Sequence, residues 1–479
     1  MSTQQLIWSS GNLTIINPHP SQEKFLHYQH RSLELVNWKR QSRTESVQLF
    51  QVINQQNPRI IQTFQGFLEP LLKLAQKNAV PVEVLDRRTW FPEPKLDLAG
   101  GFRCRQAELF HEFIKPQRSG LLQAVTRYGK STLIANTMRV FPGVTTVLAA
   151  PGVDLLGQLV DDMRKKLPGR EVLGIFTGSR NHNQSKDITI TSLDSLHKID
   201  PEGTKLLLID EPHAAVSESR APMLAKFRNA RIYGYGATLS GRFDGADKLI
   251  EGLIGPVLAR RTYLEAVVEG AICPIKVWML KVGFPEFNVY DRDKAYRQLI
   301  YQNQEFNKLI KAISDNIVPE GYQTIIFADE KKQIELMNTF VSSGVQAVAC
   351  KMKTAERKDL FGRMVRGEIK RCIATDIFST GVTFPDVRCL INAGGGGGGI
   401  TSTQKPGRLA EVRPNKTCGH VIDFLFECEQ YPGESLKSVD ARNAPWKFVV
   451  NDSRARLAVY QNNGYDVNVV ESIEEIKIT

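Results

Sequence analysis

The chain has 479 residues, of which 42% are hydrophobic and 24% are charged, a composition typical of folded globular proteins. Because one hydrophobic core rarely serves so long a chain, two to four domains are expected. The net charge of +11 favours an anionic partner, whereas seven cysteines without a C-x-x-C pair and the lack of a long apolar run exclude a zinc module, a disulfide framework and a membrane span.

Residues 1–95 form the first predicted domain, a small α+β module. Strands are expected at residues 13–16 and 81–85, and residues 59–78 carry apolar positions at helical spacing. A proline-rich stretch at residues 90–95 predicts a linker. Two interpretations of the basic residues in this module stay open, contact with DNA or the solvated face of a helix; the residues are Lys39, Arg40 and Arg43.

A loop that follows an apolar run reads Ala124-Val-Thr-Arg-Tyr-Gly-Lys-Ser-Thr132. It approaches the pattern G-x-x-x-x-G-K-[ST], in which backbone N–H groups and a helix N-terminus surround phosphates. Lys130 would supply a positive charge and Ser131 a hydroxyl for Mg²⁺. Ala124 and Arg127 depart from the usual pattern, so ordinary helix capping is the alternative for this segment alone.

The segment Leu206-Leu-Leu-Ile-Asp-Glu-Pro-His213 is an apolar run that ends in two carboxylates. It predicts a buried parallel strand that delivers both acids to the carboxyl edge of a sheet. Asp210 is expected to hold Mg²⁺ and Glu211 to orient or deprotonate the attacking water. Upstream, the amide of Gln106 can both donate to and accept from an adenine edge. Together the segments predict a nucleoside triphosphate site.

Strands alternate with helices on both sides of residue 260, which predicts two parallel-sheet domains at residues 96–260 and 261–445. In the first domain, helices are expected at residues 154–166 and 221–229. Residues 262–300 are expected to link the halves and to include a strand at residues 273–281. The six glycines at residues 394–399 indicate a flexible connector or a phosphate-contacting loop, and residues 446–479 a C-terminal extension with a strand at residues 466–470.

Six segments, in this order, resemble the motifs of superfamily 2 helicases. They are Gln106, residues 124–132, Asp210-Glu-Pro-His213, Gly236-Ala-Thr-Leu-Ser240, Ala374-Thr-Asp-Ile-Phe-Ser-Thr-Gly381 and Gln404-Lys-Pro-Gly-Arg408. The chain is more closely similar to the phage UvsW-type DNA helicases, through residues 234–242, 264–271 and 378–387. This resemblance implies two RecA-like domains behind a small amino-terminal domain, and ATP-driven unwinding or branch migration of forks, junctions and R-loops. It also implies action in the cytoplasm of a phage's host.

The resemblance assigns roles residue by residue. ATP would be bound by Gln106, Thr126, Gly129, Lys130, Ser131, Thr132 and Gly381, with Mg²⁺ on Ser131 and Asp210. Hydrolysis would be coupled to grip on DNA through His213, Ala237, Thr238 and Gln404. The catalytic residues would be Lys130, Asp210, Glu211 and an arginine, Arg408 or Arg413. Arg413 lies five residues after Arg408, where the family motif has its second arginine three residues on, and Glu411 stands at that place.

DNA is expected to be held mainly through its phosphates, which makes binding tolerant of sequence and dependent on salt. The candidate contacts are Pro151, Gln158, Thr177, Gly178, Thr191, Ser192, Lys351 and Thr375. Three alternatives to a branched-DNA helicase stay open: a duplex translocase, an RNA helicase, and a DNA-binding scaffold with a decayed ATPase. No membrane partner is expected.

Overall fold

The computed structural model describes residues 3–9, 11–36, 39–88, 91–152, 156–175, 184–217, 219–239, 244–284, 291–340, 345–348, 354–375, 386–396, 405–428 and 447–478. The chain divides into two compact units, residues 1–125 with 129–262 and residues 126–128 with 263–479. Within the described ranges, no helix combines the length and apolar character that crossing a membrane requires.

The amino-terminal module of the first unit is a mixed five-stranded sheet with an added hairpin. Its elements are β1 (Gln4–Ser9), β2 (Asn12–Ile16), α1 (Pro20–Phe25), β3 (His27–Val36), β4 (Lys39–Gln48), β5 (Phe50–Asn54), β6 (Ile60–Phe64), α2 (Leu68–Lys77) and β7 (Val82–Asp86). The sheet order is β5-β6-β2-β1-β7, and β3 pairs with β4 alone. Helix α2 turns Leu68, Leu71 and Ala75 inward, at the spacing of one helical face.

One prediction for this module was wrong, and one of the two open interpretations of its basic residues is excluded. Residues 60–64, which fall within the expected helical segment, form β6, because Ile61 and Thr63 alternate inward between neighbouring strands. The basic residues Lys39, Arg40 and Arg43 lie on strand β4 and not on a helix. Their cross-strand partners on β3 fix this conformation, which the polar sequence alone did not indicate.

The rest of the first unit is a seven-stranded parallel sheet with helices between its strands. The elements are α3 (Gln106–Ile114), β8 (Gly120–Ala124), α4 (Lys130–Val140), β9 (Thr146–Ala150), α5 (Leu156–Lys166), β10 (Val172–Ile175), β11 (Ile188–Ser192), β12 (Leu206–Asp210), α6 (Ala221–Leu224), β13 (Arg231–Gly236), α7 (Asp247–Ile254) and β14 (Val257–Arg261). The order is β10-β11-β9-β12-β13-β8-β14. The central strands are buried on both faces, as their apolar runs predict.

Helix α6 is shorter than the expected helix at residues 221–229. It ends at Leu224, beyond which the backbone bonds tighten, with Phe227 N–H donating to the Leu224 carbonyl (3.2 Å) and Arg228 N–H to the Lys226 carbonyl (2.8 Å). Leu224 and Phe227 are both buried in the core of the unit, so packing holds this tighter turn.

The second unit is another seven-stranded parallel sheet. Its elements are α8 (Tyr263–Val268), β15 (Ile275–Phe284), α9 (Arg292–Tyr296), α10 (Gln304–Ala312), β16 (Gln323–Phe327), α11 (Lys331–Phe340), β17 (Val345–Val348), α12 (Thr354–Val365), β18 (Arg371–Ala374), β19 (Val387–Asn392), β20 (Gly419–Cys428), α13 (Lys447–Asn462) and β21 (Asp466–Val470). The order is β17-β18-β16-β19-β20-β15-β21.

Strands β15 and β21 belong to this sheet, where they pair in parallel. The strand expected at residues 466–470 is confirmed in its bounds, and the one expected at residues 273–281 runs from Ile275 to Phe284. Counted in chain order, both seven-stranded sheets have the arrangement third, fourth, second, fifth, sixth, first, seventh. The predicted fold class, two RecA-like parallel-sheet domains with a small α+β amino-terminal domain, is confirmed.

Candidate nucleotide and nucleic-acid site

The phosphate-loop segment leads from β8 into α4 through a sharp turn at Gly129. Gly129 has φ +101°, a conformation that favours glycine, and it precedes the first residue of α4, Lys130. A Cβ atom on Gly129 would also lie 2.4 Å from Nε2 of Gln106, so two constraints favour glycine here. Ser131 and Thr132 occupy the first turn of α4, where the Thr132 N–H donates to the Gly129 carbonyl at 3.0 Å. The positive end of the helix dipole favours an anion at this N-terminus.

The Lys130 ammonium faces both carboxylates at the end of β12. Its Nζ forms a short ion pair with Oε1 of Glu211 and lies 3.8 Å from Oδ1 of Asp210. Removal from water raises the pKa of Asp210 to about 6; Lys130 opposes this rise and Glu211 adds to it. The cation, the two acids and the start of α4 thus come together at the carboxyl edge of the first sheet.

Residue Glu211 has a left-handed backbone, with φ +53° and ψ +65°. For a residue other than glycine this conformation stores strain, and such strain is concentrated at functional sites. The Glu211 N–H donates to the Tyr235 carbonyl on β13 (2.9 Å), which holds the turn, and Nδ1 of His213 lies 3.4 Å from Oε2 of Glu211. The strained turn therefore points the carboxylate toward Lys130 and keeps His213 beside it.

The loop after β13 is tied to the strand that leads into the phosphate loop. Nε2 of Gln123 donates to the Ala237 carbonyl at 3.1 Å. The hydroxyl of Thr238 is buried and has no hydrogen-bond partner among the described residues. Gln123 thus connects the predicted coupling residue Ala237 directly to the strand that leads into the phosphate loop.

Gln106 lies beside the phosphate loop at the start of α3, almost fully buried. Its Oε1 accepts from the Arg103 N–H at 2.9 Å, which fixes the orientation of the amide. Asn136 of α4 holds the preceding segment, because its side chain exchanges two hydrogen bonds with the backbone of Gly100, at 2.7 and 3.0 Å. Asn136 was not recognised in the sequence, where it looks like an ordinary helical residue.

The chemistry of the donor set fits a divalent cation. Oδ1 of Asp210 is buried and accepts no hydrogen bond within the described ranges, so a lone pair remains available. Carboxylate and hydroxyl oxygens suit Mg²⁺, which keeps several of its waters and takes few protein ligands. The described residues hold no cluster of three or more His, Cys, Asp or Glu side chains arranged for a metal.

The candidate DNA contacts are placed unequally. Pro151 follows β9 and Gln158 is exposed on α5. Thr191 and Ser192, at the end of β11, are fully buried, and the Ser192 hydroxyl accepts from the Ser195 N–H at 3.1 Å. Five predicted site residues lie outside the described residues: the DNA contacts Thr177, Gly178 and Lys351, and with them Gly381 of the ATP site and the coupling residue Gln404.

In the second unit the two candidate arginines differ in environment. Arg408 is 8% exposed, whereas the side chain of Arg413 is 41% exposed and pairs with Glu411 at 2.6 Å. A single helical turn covers residues 405–407, and Arg413 lies beyond it in a segment without helix, so the two arginines do not share a helix face. Thr375 follows β18 and is buried, and its hydroxyl has no hydrogen-bond partner in the described part of the chain.

A buried polar network in the second unit, centred on Asp423, was missed in the sequence. Oδ1 and Oδ2 of Asp423, on β20, receive hydrogen bonds from Arg456 and Tyr460 of α13 and from Asn392 of β19. Nζ of Lys405 lies 3.4 Å from Oδ1 of Asn392. The available signal was an aspartate within an apolar strand, since such a carboxylate needs a buried partner.

The same network holds the start of the glycine run. The Gly395 N–H donates to Asp329 at 2.6 Å, the Gly396 N–H donates to the Tyr296 hydroxyl at 3.1 Å, and Arg456 donates to the Gly396 carbonyl at 2.9 Å. Residues 394–396 are therefore fixed by hydrogen bonds, in contrast with the expected flexible connector; residues 397–399 lie outside the described ranges.

Comparison with known proteins finds one family match in each of the two parallel-sheet domains. Residues 99–241 match the family described as type III restriction enzyme, res subunit, and residues 304–411 match the helicase conserved C-terminal domain. The chain is 26% identical over 352 residues to the DNA 3'-5' translocase XPB2 of Sulfurisphaera tokodaii, which covers 64% of this chain and 78% of that protein.

Two solved structures align with this chain, and the first of them shares its fold. The ATP-dependent type ISP restriction-modification enzyme LlaBIII bound to DNA aligns with a TM-score of 0.53 and 12% identity, over 84% of this chain and 34% of its own. T4 UvsW aligns over 98% of this chain and 99% of its own, with a TM-score of 0.41 and 13% identity. Since the two family matches follow in order, one within each of the two parallel-sheet domains, the chain is an ATP-dependent helicase of superfamily 2.

Proposed function

We propose that this helicase unwinds or branch-migrates branched DNA, such as forks, junctions and R-loops, with ATP and Mg²⁺. The observation that carries the motor activity is the meeting of Lys130 with Asp210 and Glu211 at the N-terminus of α4. Branched DNA as the substrate is supported by the amino-terminal module, which is part of the same compact unit as the first motor sheet.

The module is joined to the first sheet by specific contacts. Nζ of Lys248 on α7 donates to the His27 carbonyl at 3.1 Å and lies 3.7 Å from the centroid of the Phe25 ring. Arg118, just before β8, pairs with Glu69 of α2 at 2.7 Å. A module attached in this way moves with the sheet that binds ATP, so it can hold one DNA arm while the motor acts on another.

In the proposed reaction, Lys130 and the first turn of α4 bind the phosphates, and Ser131 and Asp210 hold the Mg²⁺. The ion supplies a Lewis acid for the transferred phosphoryl group. Glu211 orients and deprotonates the attacking water, and Arg408 neutralises charge that develops in the transition state. Gln106 orients the adenine edge, while His213, Ala237 and Thr238 transmit the state of the site to the DNA-binding face.

We also propose the division of the chain into residues 1–95, 96–260, 261–445 and 446–479. Nucleic acid would meet the motor at Pro151 and Gln158. Thr191 and Ser192 would shape the neighbouring loop, since their burial leaves the hydroxyls turned to the protein.

A second candidate function is translocation on duplex DNA without strand separation. It is favoured by the name of the archaeal relative, a DNA 3'-5' translocase. Displacement of a triplex-forming strand without displacement of a duplex strand would identify this activity.

The deciding experiment is ATP turnover with no nucleic acid, single strand, duplex, fork, four-way junction and RNA hybrid, at two salt concentrations. We expect the fork or junction to stimulate most, and Lys130→Ala to abolish the stimulation. Lys165→Ala, an exposed lysine of α5, is the matched control and should behave as the unaltered chain. Equal turnover on every nucleic acid would contradict the branched-DNA proposal, and turnover near zero on all of them would contradict the motor.

A further inference from the structure

A cavity of about 460 Å³ lies at the amino edge of the first sheet, the edge away from Lys130. It is bounded by the starts of β8 and β13 and by the segment that follows β7. Its volume falls within the range of about 300–1,000 Å³ that is usual for small-molecule sites. All lining residues belong to the first unit.

The wall of this cavity is strongly basic. Four arginines line it against one aspartate; they are Arg88, Arg118, Arg228 and Arg231, with Asp86. Arg88 pairs with Asp86 at 2.6 Å, and Arg118 pairs with Glu69 at 2.7 Å. Among the described residues, no carboxylate pairs with Arg228 or Arg231, so the cavity keeps an excess of positive charge.

Arg231 is held rigidly at the back of the cavity. Its guanidinium lies 4.0 Å from the centroid of the Phe91 ring and 5.9 Å from that of Phe141. Its Nη1 is buried and donates to no atom of the described residues. Burial lowers the pKa of Arg231, the neighbouring Tyr233 raises it, and Arg88 lowers it further. A buried cation without an acidic partner is costly, and an anion in the cavity would relieve that cost.

The remaining wall supplies further groups that can donate hydrogen bonds. Gln65, Gln117 and Asn229 add amides, and Ser119 adds a hydroxyl whose oxygen accepts from the Ile232 N–H at 2.9 Å. Guanidinium groups bind phosphate oxygens in pairs, through two parallel N–H donors. Arg228 is exposed at the rim, so a bound group can continue into solvent.

We propose that this cavity is a second phosphate-binding site, distinct from the ATP site, that receives a phosphate group of a nucleic-acid strand or of a free nucleotide. The inference goes beyond the helicase activity, because it concerns the opposite edge of the sheet. Arg231 would bind the phosphate at the back of the cavity and Arg228 would contact it from the rim.

The first measurement uses pyrophosphate as the probe in a Lys130→Ala background, where the phosphate loop is weakened. We expect pyrophosphate to raise the Tm of this protein, and the added change Arg231→Gln to abolish the ligand-dependent rise. Arg366→Gln is the matched control, since Arg366 is an exposed arginine of the second unit that pairs with Glu368. The Tm of each variant is also measured without pyrophosphate. A difference between the variants in that measurement reports the lost packing of Arg231 on Phe91 and is subtracted from the ligand effect.

The second measurement tests a nucleic-acid strand as the source of the phosphate. Binding of a single strand and of a duplex is titrated against salt, with Lys130 intact. Loss of one phosphate contact should weaken binding about tenfold at low salt and reduce the slope of log K against log salt by about one. Arg228→Gln gives a second variant that leaves the stack on Phe91 in place, in case Arg231→Gln does not fold.

The possible outcomes distinguish a free phosphate ligand from a nucleic-acid strand, and they distinguish failure of the second site from failure of the helicase proposal. If the variants weaken binding of pyrophosphate but not of the oligonucleotides, the cavity binds a free phosphate compound. If they weaken binding of the oligonucleotides but not of pyrophosphate, the cavity binds a phosphate of a nucleic-acid strand. If both variants bind both probes as the unaltered chain does, the second site is overturned. ATP turnover without DNA should stay unchanged in Arg228→Gln, whereas Lys130→Ala tests the helicase itself, so one proposal can fail while the other stands.

Discussion

The two seven-stranded sheets have the same strand order but carry different groups at the same topological position. The fifth strand of the first sheet, β12, ends in Asp210, which faces Lys130. The fifth strand of the second sheet, β19, ends in Asn392, which binds Asp423 and faces Lys405. The first arrangement leaves an oxygen available to a cation, whereas the second satisfies its polar groups internally. A shared topology thus supports a reaction centre in one case and a structural network in the other.

The largest expected effect tests the reaction centre of the first sheet. Glu211→Gln removes the proposed base, and we expect nucleic-acid-stimulated ATP turnover to fall about 10³-fold while ATP still binds. Steady-state turnover and nucleotide binding are measured side by side. Glu112→Gln, an exposed glutamate of α3, serves as control. Turnover above half of normal in Glu211→Gln would remove Glu211 from the mechanism.

The second prediction asks what the other sheet contributes to the reaction. Arg408→Gln should lower turnover by roughly 10²- to 10³-fold, because the role proposed for Arg408 is to neutralise charge that develops in the transition state. Arg413→Gln should change turnover less than about threefold, since that side chain is exposed and already pairs with Glu411. The reverse ranking would identify Arg413 as the catalytic arginine.

The third prediction compares two glycines with positive φ in the first unit. Gly129→Ala should lower ATP affinity about tenfold or more, because its Cβ would meet Gln106 at 2.4 Å in addition to the backbone strain. Gly143 also has a positive φ, +73°, but an added Cβ there would meet no atom within 4 Å. Gly143→Ala should therefore cost only about 1 kcal/mol of stability and leave turnover intact. Equal losses of affinity would show that strain alone explains the effect.

The fourth prediction tests the network of the second sheet. Burial disfavours the Arg456 cation, yet Asp423 outweighs this and the pKa of Arg456 is raised. Arg456→Met leaves Asp423 buried without its cation, so we expect a loss of about 3–5 kcal/mol in the free energy of unfolding of this unit. Urea denaturation measures this loss. Arg366→Met breaks an exposed ion pair with Glu368 and is the control, for which we expect no measurable loss. A loss below about 1 kcal/mol for Arg456→Met would contradict the network's structural role.

What the sequence made predictable were features with a local pattern. Strand β12 with its two acids, and the Gly129-Lys130 turn, are readable because an apolar run and a glycine before a helix each carry a short-range signal. The hairpin of β3 and β4 was not predictable, because β4 is almost entirely polar and the described pairing of each strand is with the other alone. The Asp423–Arg456 pair and the arginine cavity join residues far apart in the chain, and no short-range pattern reports such contacts.

The position of β21 has a consequence for the order of events during synthesis. Strand β15 is among the first elements of the second unit to be made, but one of its two edges stays open until β21 is made. The Asp423 carboxylate likewise has no cationic partner until Arg456 of α13 has been synthesised. A nascent chain that stops before residue 447 would therefore present an unpaired strand edge and an uncompensated charge, both of which favour association with other chains. The described strands of the first parallel sheet find their partners within residues 120–261, so this sheet can form while the second unit is still being translated.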